Sequence, residues 1–164
     1  MKRLFSLFSL ICTVFFACGQ KTYEEKLESL YRKTVPLIDP GSLKQKLGSA
    51  DTYVIDTRSK EEYQVSHIAG AQFLDYDNHS KKDFKHIPKD ADVIVYCTVG
   101  YRSERVGEEL QRLGFTNVKN LYGGIFEWKN QENGVVNENN TPTDSVHTYS
   151  KSWSKWLEKG IKVF

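Results

Sequence analysis

Apolar positions along the chain fall into three regimes. Residues 4–16, LFSLFSLICTVFF, are apolar without a period. Between residues 37 and 132, short apolar runs alternate with segments of helical period. TYVIDT, AQFLD, DVIVYC and NVKNLY read as strands; SLKQKLG, KEEYQVS, SERVGEELQRLG and GIFEWKNQ read as helices. DVIVYC is apolar without alternation, as expected of a central strand covered on both faces. Val106, Leu110 and Leu113 recur at i, i+4 and i+7, and Gly114 suits the position just past a helix end. The alternation predicts an α/β domain over residues 37–132, with a mostly parallel central sheet flanked by helices on both faces.

The flanks carry the third regime. Leu27, Leu30 and Tyr31 lie at i, i+3 and i+4, which predicts a short amphipathic helix within residues 18–36, closed by Pro36 and Pro40. This helix is expected to be a membrane-proximal spacer that holds the domain away from the membrane. After the polar stretch NGVVNENNTPTDS, Tyr149, Trp153, Trp156 and Leu157 recur at helical spacing. Residues 133–164 are therefore expected to be a loop and an aromatic helical tail packed on the domain. That stripe serves either as core alone or also brings an aromatic side chain or His147 to the rim of a site.

The first regime changes the picture of where the protein works. Lys2 and Arg3 precede the apolar run, which is shorter than the roughly eighteen residues that span a bilayer, so residues 1–17 read as an export signal. Ala17 followed by Cys18 resembles the lipobox of bacterial lipoproteins, although Phe15 stands where leucine is usual. That resemblance implies lipid on Cys18 and a location in the bacterial cell envelope, facing the periplasm or cell surface. Removing Lys2 and Arg3 from the 23 basic residues leaves 21 against 21 acidic ones, so no basic excess points to nucleic acid. At 164 residues the chain can bury one substantial core.

Three cysteines remain to be assigned. With Cys12 removed and Cys18 lipidated, Cys97 is the single free thiol and no internal disulfide forms. A C-x-x-C thiol exchanger is disfavoured, and four dispersed histidines give no zinc-ligand spacing, so neither a metal nor a cofactor is expected. Cys97 ends the most apolar strand, at the edge of a parallel sheet where ligands bind. The following TVGYRS leads into a helix whose N–H groups and dipole favour a thiolate, so a reactive sulfur is expected. Gly100 lets the loop curl, Arg102 supplies a fixed positive charge for an oxyanion, and Ser103 is placed to cap the helix. The bland alternative is a buried, inert cysteine, which leaves the glycine, arginine and serine unexplained.

VIDTRSKEEYQVSHIAGAQFLD, VIVYCTVGYRS and LYGGIFEW, in this order and spacing, together resemble the rhodanese-like sulfurtransferase domain over residues 37–132. Ser66 departs from the pattern, since a glycine commonly precedes the histidine. The resemblance implies a ping-pong mechanism. Cys97 takes the outer sulfur of a donor anion such as thiosulfate as a persulfide and passes it to a thiol or a cyanide-like acceptor. Backbone N–H groups of Thr98, Val99, Gly100, Tyr101, Arg102 and Ser103 would hold the substrate and persulfide. Asp56, Arg58 and Glu62 match the family's D-x-R-x-x-x-E pattern; Arg58 and Glu62 are expected to form a structural ion pair, and His67 to be a structural histidine. Two other readings stay open: a phosphatase or arsenate reductase, whose C-x5-R loop is one residue longer than this one, and a docking or persulfide-sensing module. A monomer is expected.

Overall fold

The computed structural model describes residues 21–164; the expected export signal of residues 1–17 and Cys18 lie outside the described residues. Five parallel strands form the central sheet in the order β1-β5-β4-β2-β3. They are β1 (Leu37–Ile38), β2 (Thr52–Asp56), β3 (Gln72–Phe73), β4 (Asp92–Tyr96) and β5 (Asn117–Leu121). The helices are α1 (Tyr23–Glu28), α2 (Pro40–Lys46), α3 (Lys60–Val65), α4 (Tyr101–Arg112) and α5 (Gly124–Asn130). β4 is central because every side chain from Val93 to Tyr96 is apolar enough to be buried. Ile94 and Tyr96 face one core, Val93 and Val95 the other.

The first core gathers Leu27 of α1, Leu43 of α2, and Ile125, Phe126 and Trp128 of α5. The second gathers Val106 and Leu110 of α4 with Phe84 and Ile87. Each fully buried side chain of this size is worth about 1.5–3 kcal/mol, so the two faces hold the sheet rigid from both sides. The expected α/β architecture with helices on both faces is the one found. Its strand ends are shorter than the pattern suggested. AQFLD contributes only Gln72–Phe73, and the two-residue β1 beside β5 carried no readable period.

Two expectations for the flanks are corrected. The helix of the N-terminal segment is the six residues of α1, opened by a Thr22–Glu25 capping box, and it is packed into the domain: Leu27 is fully buried and Tyr31 follows it inward. The tail is no aromatic helix. It forms β6 (Val135–Val136) antiparallel to β7 (Pro142–Thr143), then β8 (Ser145–His147) parallel to β9 (Ile161–Val163), with a 3-10 turn at Ser154–Trp156. Tyr149 cannot start a helix because it sits at φ +62°, where its N–H is bonded to His147 Nδ1 at 3.1 Å. The serines that follow hydrogen-bond locally, as with Ser154 Oγ to Lys151 O at 2.9 Å, which competes with helix bonding. The tail does pack on the domain, through buried Val146 and Leu157 and through Lys129, whose Nζ meets Asp144 at 2.6 Å.

Candidate active site

Cys97 follows the last residue of β4, at the carboxyl edge of the sheet. Its side chain is 1% exposed and its Sγ accepts the Gly100 N–H at 3.2 Å. Gly100 sits at φ +94°, where a Cβ would lie 2.4 Å from Tyr31 Oη; only glycine closes this turn. The sequence placed a cradle of N–H groups from Thr98 to Ser103 around the sulfur. One of these, Gly100, bonds it. The N–H groups of Thr98, Val99, Tyr101, Arg102 and Ser103 have no acceptor among the described residues, so they remain available to an incoming anion at the α4 N-terminus. Ser103 is not the cap. α4 begins two residues earlier, with Gly100 in the cap position, and Ser103 Oγ instead donates to Asn120 Oδ1 at 2.7 Å, while Asn120 Nδ2 donates to Gly100 O at 2.9 Å.

The glycine pair of LYGG explains how the loop is held from below. Gly123 and Gly124 both have positive φ, and a Cβ on Gly124 would fall 2.3 Å from Cys97 O. This close approach lets Ile125 N–H reach Cys97 O at 2.9 Å and Phe126 N–H reach Thr98 O at 3.2 Å. Tyr31 ties the same parts together, its hydroxyl donating to Val99 O at 2.7 Å and accepting from Gly123 N at 2.9 Å. Sequence reasoning missed Tyr31, Asn120 and Gly124 as supports. Tyr31 stood out only as an apolar position of a presumed spacer.

The charged residues pair differently from expectation. Arg58 does not pair with Glu62. Buried Arg58 is bonded to Asp56, Nε to Oδ1 at 2.9 Å and Nη2 to Oδ2 at 2.7 Å, and also reaches Ser66 O. Two residues of separation across the β2 end bring Asp56 and Arg58 together, whereas the first turn of α3 aims Glu62 at the Cys97 loop. Glu62 accepts both Arg102 guanidinium nitrogens at 2.8 Å, Thr98 Oγ1 at 2.8 Å and Ser59 N at 3.1 Å. Burial works to raise the Glu62 pKa, but the Arg102 hydrogen bonds and charge override it and hold the carboxyl at about 2. Arg102 is therefore an occupied cation rather than a free one. His67 is structural: its Nδ1 lies 3.0 Å from Tyr63 O, its ring stacks on Tyr63 at 3.8 Å, and its backbone bridges Val136.

Above Cys97 lies a cavity of about 440 Å³. Thr98, Val99 and Arg102 line it together with Cys97; Leu30, Tyr76, Tyr101, Tyr149 and Trp153 make it mostly apolar, and Asp77 adds a carboxylate. The tail thus serves both purposes its aromatic stripe left open. Leu157 and Trp156 pack on the core, while Tyr149 and Trp153 wall the cavity. His147 does not line it, but holds the Tyr149 N–H. Keeping a tyrosine at positive φ costs on the order of 1–3 kcal/mol, and the ring so placed lies 5.3 Å from the Arg102 guanidinium carbon.

Comparison with known proteins decides the family. A family model described as the rhodanese-like domain matches residues 39–131, more than half of the chain. The chain belongs to the rhodanese-like family. Among curated relatives of this rhodanese-like domain, the tRNA uridine(34) hydroxylase of Streptococcus thermophilus is 38% identical over 96 residues, 56% of this chain and 29% of that protein. The chain thus spans under a third of the length of that relative. Among solved structures, a rhodanese-related protein of Thermoplasma volcanium has 27% identity and a TM-score of 0.56, covering 63% of this chain and 99% of that one. A rhodanese-like domain from Anabaena sp. has 25% identity and a TM-score of 0.57, covering 62% and 79%. The rhodanese loop here has four residues between Cys97 and Arg102, and Arg102 is engaged by Glu62. That geometry suits a monoanionic sulfur at Cys97 better than a phosphoryl group, whose oxygens need a wider loop and an arginine free to receive them.

Proposed function

We propose that this protein is a sulfurtransferase in which Cys97 carries a sulfane sulfur as a persulfide between a donor and a nucleophilic acceptor. The observation that carries the reading is the buried Cys97 sulfur, bonded to Gly100 N–H in a loop whose other N–H groups have no acceptor among the described residues. The Cys97 thiolate attacks the outer sulfur of the donor. A new S–S bond forms as the donor's own S–S bond breaks, and the pair leaves on the inner sulfur, as sulfite when the donor is thiosulfate. An acceptor such as cyanide or a thiolate then attacks the outer sulfur of the persulfide, and Cys97 departs as the thiolate. The unpaired N–H groups stabilise the outer sulfur of the persulfide, which is longer than the thiolate and reaches further into the loop.

Intact-protein mass after incubation with sulfane-sulfur donors tests this. Gain of one sulfur, lost to cyanide with release of thiocyanate and absent in Cys97→Ala, is the expected result; no gain with thiosulfate, polysulfide or an organic persulfide refutes it. Export and lipid attachment at Cys18 belong to the same proposal, on the strength of the residue 1–20 pattern. In cells, Cys18→Ser is expected to abolish radiolabelled-palmitate incorporation, and labelling that persists in this variant overturns the assignment. The relatives' name refers to tRNA. The matched region is a minor part of their length, and the balanced charge of this chain beyond its leader supports a small-molecule sulfur donor and acceptor rather than a nucleic acid.

A further inference from the structure

The cavity over Cys97 is poorly matched to a small dianion. Its cation, Arg102, is engaged by Glu62 through two hydrogen bonds of 2.8 Å, so the pair contributes no net charge. No lysine lines the cavity, while Asp77, whose side chain makes no hydrogen bond or ion pair among the described residues, adds a negative charge at its mouth. Against an incoming dianion only the loop N–H groups and the α4 dipole act in favour. The walls, in contrast, are built for an apolar body. Leu30, Tyr76, Tyr101, Tyr149 and Trp153 surround a volume of about 440 Å³, far more than one sulfur atom and its oxygens fill.

Two of those walls come from the C-terminal tail, and the chain holds them there through specific contacts. Tyr149 stays at φ +62°, fixed by His147 Nδ1 at its N–H, and remains 59% exposed although Arg102 lies beneath it. The tail behind it is fastened by Lys129 to Asp144 at 2.6 Å and by Asn130, which donates to Trp156 O at 3.0 Å and accepts from Glu158 N at 2.7 Å. Trp153 is steadied by Lys26 of α1, whose Nζ lies 5.0 Å from its ring centre. Nothing in core packing requires an exposed tyrosine ring at a strained backbone position above a cysteine.

We propose that Tyr149 and Trp153 are specificity-determining residues that select organic persulfide donors, R–S–SH with an apolar, uncharged R, over inorganic dianions. The inference rests on the sulfurtransferase reading. Cys97–S⁻ attacks the outer sulfur of R–S–SH, a new S–S bond forms as the donor's S–S bond breaks, and R–S⁻ leaves with the electron pair while the proton stays on the transferred sulfur. R lies against the aromatic wall in both the donor complex and the transition state.

Methyl persulfide and benzyl persulfide present the same kind of reacting S–S bond and offer the wall different bodies; their difference in leaving-group basicity is the same for every variant and cancels when the ratios are compared. Their rates of sulfur gain at the Cys97 peptide would be compared, in the full-length protein, with that of thiosulfate. The expected benzyl-to-methyl ratio is about tenfold, since burying a phenyl ring against aromatic walls is worth at least one decade. It falls toward one in Tyr149→Gly, which suits the left-handed backbone and so keeps the fold, and in Trp153→Leu. A ratio near one in the unaltered protein, or one that persists in both variants, overturns the proposal, as does a thiosulfate rate exceeding that of benzyl persulfide. Sulfur gain from none of the three donors refutes the sulfurtransferase reading itself.

Discussion

Replacing Glu62 by glutamine tests whether the Arg102 charge is held out of use. Glu62 is nearly fully buried and accepts four hydrogen bonds, two of them from Arg102. A carboxyl held at about 2 instead of its ordinary 4.5 is stabilised in its ionised form by on the order of 3 kcal/mol. Glutamine keeps the shape but turns one acceptor into a donor facing Arg102, so most of that energy is lost. For a domain of this size each 1 kcal/mol shifts Tm by about 2–4 °C, and Glu62→Gln is expected to melt roughly 6–12 °C lower at pH 7. The pH dependence has a definite sign. The folded-state pKa is depressed, so this contribution is present above about pH 4.5 and fades as pH falls toward about 2. The Tm gap between the native protein and Glu62→Gln therefore closes in acid. At the same time Arg102 is released toward Cys97. One charge-assisted hydrogen bond to a donor oxyanion, at about 1.5–3 kcal/mol, lowers the KM for thiosulfate by roughly tenfold or more. Calorimetry from pH 3 to 8 and thiocyanate release kinetics check the two limbs. Stability and thiosulfate affinity must move in opposite directions; a KM that is unchanged or raised, or a Tm gap independent of pH, refutes the reasoning.

Gly100→Ala must force a Cβ against Tyr31 Oη at positive φ, and is expected to lose about 1–3 kcal/mol in urea unfolding and nearly all sulfur loading at Cys97. Tyr31→Phe strips the buried Val99 carbonyl and the Gly123 N–H of their shared partner, and should cost about 1–3 kcal/mol by the same measurement, with slower persulfide formation as the loop loosens. Arg58→Met leaves Asp56 buried without its cation, at a cost of about 3–5 kcal/mol, and Asp56→Leu in the same chain should restore part of that Tm; a double variant no more stable than the single one counts against the pairing described.

The central sheet was legible because burial on both faces leaves a continuous apolar run, and β4 is covered by α5 on one side and α4 on the other. Cys97 was legible for a related reason: a parallel sheet delivers the end of its central strand to the start of a helix, and a glycine three residues and an arginine five residues beyond the cysteine mark the loop between them. Charge partners were less readable. Five charges in DTRSKEE admit several pairings in one dimension, and only the direction in which the first turn of α3 points assigns Asp56 to Arg58 and Glu62 to Arg102. The same holds for Ser103, whose type suits a cap, while Gly100 takes the cap by virtue of a backbone conformation that no side-chain pattern reports.

The tail shows where period fails as a guide. Spacings of three and four place Trp153, Trp156 and Leu157 on one side of any right-handed turn, whether it continues as an α-helix or stops after one 3-10 turn. The pattern therefore located the packing face and misjudged the element. What decides between them lies in the residues around the stripe: His147 captures the Tyr149 N–H, serines bond to nearby backbone, and β9 returns to pair with β8, leaving no length for a helix. The same departure that defeats the helix turns the tyrosine ring over the loop, where it lies against Arg102 instead of pointing along a helix face. Had residues 149–157 formed the expected helix, Tyr149 would share a face with Trp153 and Trp156 and would pack inward with them. The left-handed residue separates its ring from that face, and an extension that would otherwise only cover the core becomes a wall of the cavity over Cys97.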